Sequence, residues 1–147
     1  MSIKDKLKAD LVTAMKAKEQ AKVDAIRFVN AAIKKVEVDT RKDLDDAAVT
    51  GILMNLAKQR RDSIDQFRKG GREDLATKEE AELKLIQGYL PQQMTPDELE
   101  ALVKTAIAET GAKSAKDMGS VMKAVMAKAA GRAEGGAISA TVKRLLA

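Results

Sequence analysis

Both prolines of this chain, Pro91 and Pro96, lie in one stretch, GYLPQQMTPDELE, residues 88–100. Proline lacks an amide hydrogen and crowds the turn before it, so it stops a helix, yet it suits the first position of a new one. Pro91 reads as a stop. Thr95-Pro96-Asp97-Glu98 reads as a start, with a threonine cap, proline at the first helical position and glutamate three residues after the cap. Elsewhere the 147 residues are rich in Ala, Leu, Lys, Glu, Met and Gln, all good helix formers. The joint therefore predicts an all-α protein of two helical subdomains, residues 1–92 and 93–147.

Apolar residues recur at helical spacing on both sides of the joint. Ser2 with Asp5 opens a helix expected to reach about Glu19, with Ile3, Leu7, Leu11, Ala14 and Met15 on one face. A second is expected from about Lys22 to Val38. Asp45 is a cap for a third, Asp46 to Lys69, which Gly70-Gly71 stop. The fourth ends near Tyr89, and its start is open: Thr77-x-x-Glu80 is a capping box, yet Asp74-Leu75-Ala76 fits a helix too. Beyond the joint, helices are expected over Pro96 to Thr110, from Ser114-x-x-Asp117 to about Ala130, and from about Gly136 to Leu146. Four helices precede the prolines and a three-helix unit follows. A unit as short as the second buries a modest share of its surface and is marginal alone.

The residues that are missing narrow the chemistry. There is no Cys and no His, which removes the disulfide framework, the thiolate metal site and the usual general base near neutral pH. No Gly-rich phosphate loop or nucleophile elbow is present. No catalytic residue, metal or cofactor is expected. No apolar run approaches the roughly 18 residues of a membrane span. The stretch MSIKDKLKADL has no signal-peptide core, and a cytoplasmic protein without a membrane partner is the expectation.

Two charged features stand out. Arg60 falls within the apolar stripe of Val49, Leu53, Leu56, Ile64 and Phe67, and Glu79 and Glu82 fall within that of Leu75, Leu83, Ile86 and Tyr89. An unpaired buried charge is costly, so Arg60 is expected to meet Glu79 or Glu82 in a structural ion pair that fixes register. A carboxylate poised for acid–base work, or exposure at the stripe's edge, are the alternatives. The second feature is an uneven distribution of charge. Residues 1–111 hold 20 basic and 20 acidic side chains, whereas residues 112–147 hold seven basic and two acidic, the whole excess of +5. The seven are Lys113, Lys116, Lys123, Lys128, Arg132, Lys143 and Arg144. They suit the phosphates of a polyanion. No aromatic follows Tyr89, which favours backbone contact with a folded RNA over base stacking. Met118, Met122 and Met126 recur every four residues and are expected in the core, with a docking groove as the alternative. Gly119, inside a helix, is expected to mark close packing.

Several of these motifs form an ordered set. KQRRDS at 58–63, GREDLATKEEAEL at 71–83, YLPQQMTPDEL at 89–99, KDMGSVMKAV at 116–125 and GRAEGGAIS at 131–139 resemble the GatB/YqeY family over nearly the whole chain. The positions carrying the late motifs include Met118, Gly119, Gly131 and Gly135; many relatives have Asp where this chain has Glu134. The resemblance implies a freestanding YqeY-like protein of two helical subdomains, akin to the tail of the B subunit of tRNA-dependent amidotransferases, where a similar module helps hold tRNA. It also brings the family label of a carbon–nitrogen ligase with glutamine as amido donor, which belongs to the larger enzyme. Together with the charge pattern it sets the expectation of a non-catalytic accessory module that binds tRNA or another structured RNA. Tail-end partners would include tRNA-aminoacylation or amidotransferase proteins. The alternatives are a component of such a ligase system and a protein-interaction module.

Overall fold

A computed structural model describes residues 1–147, and every regular element in it is helical. The chain divides into two compact units, Met1–Leu90 and Pro91–Ala147.

The first unit holds α1 (Ile3–Lys16), α2 (Gln20–Thr40), α3 (Asp46–Lys69) and α4 (Glu73–Gln87). Ser2 and Asp5 close a reciprocal capping box on α1, and the Asp45 carboxylate accepts from the Ala48 amide to cap α3. The apolar faces meet in one core built on Leu7, Ile26, Val29, Val49, Leu53 and Ile86. Polar fasteners sit around it. The Lys4 ammonium reaches the Glu37 carboxylate, which also accepts from the Leu44 amide at 3.1 Å. Those two bonds hold the Glu37 carboxyl below its ordinary range. The Tyr89 hydroxyl donates to Asp10, joining the end of the unit to α1; burial first, then that carboxylate, push the phenol above its usual value.

The second unit holds α5 (Pro96–Thr110), a 3₁₀ turn (Ala115–Asp117), α6 (Met118–Ala129) and α7 (Gly135–Leu146). Val103, Ala106, Val121, Val125, Ile138 and Val142 form its core. Thr95 caps α5: its hydroxyl accepts from the Glu98 amide, the Glu98 carboxylate accepts from the Thr95 amide, and Pro96 occupies the first turn. Thr95→Ala leaves the Glu98 amide without its acceptor and is expected to cost about 1 kcal/mol of this unit's stability, read as a lower urea midpoint at an unchanged slope. A midpoint equal to wild type would show that the box carries no weight.

Helix ends differ from the expectation where local signals compete. α1 stops at Lys16, short of Glu19, and α2 runs wider than expected, from Gln20 to Thr40. α4 starts at Glu73, so Thr77 is interior, and its hydroxyl donates to the Glu73 carbonyl and caps nothing. Ser114 caps the 3₁₀ turn, and α6 proper begins only at Met118. α6 closes with Ala130 in the left-handed region (φ 48°), one residue before Gly131. No helix is long and apolar enough to cross a membrane.

Candidate nucleic-acid interface and the Arg60 clamp

α5 presents Glu98, Glu100 and Glu109 to the rest of its unit, and each takes up one of the expected cations. Lys128 pairs with Glu109, Arg144 lies 3.4 Å from Glu100, and an Arg132 terminal nitrogen lies 3.6 Å from Glu98. Four of the seven remain without an ion pair: Lys113, Lys116, Lys123 and Lys143, all exposed. Lys113 sits in the turn after α5, where its amide donates to the Asp117 carboxylate at 3.0 Å. Lys116 is in the 3₁₀ turn and Lys123 is two helical turns further along, on α6. Lys143 is in the last turn of α7. The pairs to Glu100 and Glu109 are exposed, and such pairs are worth about 1 kcal/mol or less, so phosphate can exchange for carboxylate there.

Arg132 is held more firmly. Its Nε donates to the Gln92 carbonyl at 2.9 Å, and its own carbonyl accepts from the Met94 amide at 2.7 Å. The Gln93 side-chain amide donates to the Gly131 carbonyl at 3.0 Å and to the Pro91 carbonyl at 2.8 Å. Gly131 takes φ 85°, which suits glycine and turns the chain so that these groups meet. Ala133 then drops into the core. The GRAEGG stretch thus fastens the segment that leads into α5, and Glu134 is the residue before α7.

Gly119 contradicts the expectation of close packing. It is exposed, and a Cβ built there meets nothing within 4 Å. Gly135, which opens α7, has equally open space. Met118 and Met122 pack against the core, whereas Met126 is 50% exposed, so the methionine stripe is core along most of its length.

In the first unit the structure brings Arg60 to both glutamates. Its Nε lies 3.3 Å from Glu79 Oε2 and 3.1 Å from Glu82 Oε2, with the three side chains 15%, 20% and 28% exposed. These are ion-pair distances, yet Nε makes no well-aligned hydrogen bond with either. The Arg60 guanidinium also lies over the Phe28 ring, 4.4 Å from its centre. One side chain therefore ties α3 to α4 by charge and to α2 by its flat face. Burial first, and then the Glu79 carboxylate, push the Glu82 carboxyl above its ordinary value, with Arg60 opposing them. The Phe28 contact was absent from the sequence reading. The available signal was the lone aromatic of α2, at a position outside its apolar stripe.

Comparison with known proteins fits this architecture. The model of the family described as Yqey-like protein matches residues 4–146. Among curated proteins, "Altered inheritance of mitochondria protein 41, mitochondrial" of Eremothecium gossypii is 49% identical over 85 residues, covering 57% of this chain and 46% of that protein. The protein of the same name from Pyrenophora tritici-repentis is 36% identical over 132 residues, covering 87% of this chain and 71% of its own length. That from Saccharomyces cerevisiae is 38% identical over 95 residues, covering 64% and 51%. The chain spans about half the length of the first of the curated relatives it matches. Those relatives are named as mitochondrial proteins, which overturns the cytoplasmic expectation. Neither the family description nor those names indicates a catalytic activity. With a family match that runs from residue 4 to residue 146, the chain belongs to the YqeY-like protein family.

Proposed function

We propose that the second unit binds a structured RNA of the tRNA class by its phosphate backbone, and that it acts as an accessory module without chemistry of its own. The observation that carries this reading is the set of exposed lysines left over after α5 has neutralised its share: Lys113, Lys116, Lys123 and Lys143. Lysine is a strongly hydrated point charge that suits phosphate without demanding a fixed geometry. Sequence-independent contact of this kind fits an accessory role, because it positions an RNA and does not read it. Lys128 and Arg144 form a reserve that can leave Glu109 and Glu100 when phosphate approaches. Arg132 belongs to the loop fastening and contributes little.

Filter binding of a tRNA across a salt series tests this. Lys116→Glu/Lys123→Glu is expected to weaken binding at least tenfold at low salt and to lower the slope of log affinity against log salt by about 2, one for each lost phosphate contact. Arg132→Gln is expected to leave that slope unchanged. An unchanged slope in the folded double variant would refute the placement of the RNA. Amidation of a misacylated tRNA by the purified protein with glutamine and ATP would refute the non-catalytic role.

A further inference from the structure

In the first unit, residues of α2 and α4 line a groove of about 480 Å³. Its apolar walls are Ala21 and Ala25 of α2 and Ala81 and Leu85 of α4. Ala21 and Ala25, at i and i+4 on α2, and Ala81 on α4 are too small to fill it. Lys22, Lys78 and Lys84 also border it. Lys84 has no carboxylate partner, Lys78 stands near the Glu82 carboxylate without a close ion pair, and Lys22 only approaches Glu19, at 4.0 Å. Two carboxylates also line it: Asp24, which accepts from the Gln20 side-chain amide at 2.7 Å and keeps its charge, and Glu82, which is turned to Arg60. The groove is therefore apolar between its alanines and bordered by three lysines against two carboxylates, an excess of one positive charge, with Lys84 free of any carboxylate.

We infer that this groove binds a small anionic amphiphile, a single acyl-type chain lying on the alanines and Leu85 with its carboxylate against the lysine at one end, Lys78 or Lys84. Size decides between this and a docked partner helix. The volume falls in the range of ligand sites, roughly 300–1,000 Å³. The length, residues 78–85 on α4, is only about 10 Å. A stable protein partner needs about 800 Å² on each side, far more than two turns provide. The alanines allow a thin chain to lie against the helix backbones, and every methylene that leaves water adds to affinity. The inference does not rest on the RNA reading, because the groove lies wholly within Met1–Leu90.

The test is methyl NMR of the full chain titrated with sodium decanoate below its micelle concentration. Saturable shifts of the Ala21, Ala25, Ala81 and Leu85 methyls are expected. Octanoate should bind roughly tenfold more weakly, since each methylene is worth about three- to fourfold. Decyltrimethylammonium should leave those methyls in place. Lys78→Glu/Lys84→Glu, two exposed substitutions that leave the core untouched, is expected to weaken decanoate at least tenfold with an unchanged circular dichroism spectrum. Ala81→Trp, also at an exposed position, should fill the groove and abolish the shifts. The inference is overturned if decanoate shifts other methyls, if the cationic analogue binds equally well, or if charge reversal changes nothing. Association with anionic lipid vesicles in the absence of monomeric decanoate binding would overturn it as well, in favour of a membrane surface.

Discussion

Arg60→Met is expected to destabilise the first unit by about 2–3 kcal/mol, lowering its melting temperature by roughly 10–15 °C. Methionine keeps the bulk and the contact with Phe28 but removes the guanidinium that lies between Glu79 and Glu82. Fully buried pairs cost about 3–5 kcal/mol when one partner is removed; these side chains retain some solvent, which lowers the figure. Two carboxylates are then left side by side in a largely dry place. The Glu82 carboxyl is already raised, so its native form holds a proton at a pH where the unfolded chain has lost it. Its contribution to stability is thus complete below the ordinary carboxylate value and declines as pH rises through the window up to the folded value. The penalty of Arg60→Met should follow the same sign, larger at pH 7 than near pH 4. Glu82→Gln alone should stay within about 0.5 kcal/mol of wild type at pH 7, and combined with Arg60→Met it should restore about 1 kcal/mol. Urea titrations of the four proteins at both pH values measure all of this. A penalty under about 0.5 kcal/mol, or one that does not change with pH, would mean that the clamp does not hold these helices.

The same cluster shows what could be read from the sequence and what could not. A charge inside an apolar stripe is visible in one dimension, because helical periodicity fixes which residues share a face. The ends of α3 and α5 are legible for a related reason: Asp45, Gly70, Thr95 with Pro96, and Gly111 each act on the backbone within a turn of themselves. Where two such signals lie close together, the sequence does not rank them. Thr77-x-x-Glu80 is a sound capping box, yet Gly71 in the left-handed region turns the chain early enough for α4 to begin at Glu73. Ser114 likewise caps a turn that is 3₁₀ rather than α.

The candidate interface was legible only as an inventory. That the last 36 residues are basic can be counted. Which of the seven cations are spent depends on Glu98, Glu100 and Glu109, acids of α5 that lie outside the counted window and meet their partners only when three helices close. Gly119 was misread because a glycine in a helix has two opposite causes, crowding and open space, and sequence alone does not separate them. The groove between α2 and α4 was not legible at all, since alanines count toward either helix's core until it is known which of them face each other.

Ile138→Ala is expected to cost the second unit about 3–4 kcal/mol and to unfold most of it at 25 °C. Ile138 is 1% exposed at the centre of a core that includes Val103, Val121, Val125 and Val142. Truncation removes the transfer energy of the lost methyl groups and leaves a cavity that stiff, β-branched neighbours close poorly. A core in a unit as short as Pro91–Ala147 supplies only about 3–5 kcal/mol in all, so the loss is close to the whole. Ile138→Val, which removes one methylene, should cost about 1 kcal/mol and leave the unit folded. Methyl signals of Val121, Val125 and Val142 follow the outcome, collapsing toward unfolded positions in the alanine variant and staying dispersed in the valine variant. The two variants also discriminate between a surface role and a folding role for RNA binding. Ile138→Ala should abolish tRNA binding without touching a charge, whereas Ile138→Val should bind like wild type with the same salt slope. Retention of dispersed valine signals in Ile138→Ala would show that the unit draws its stability from something other than this core.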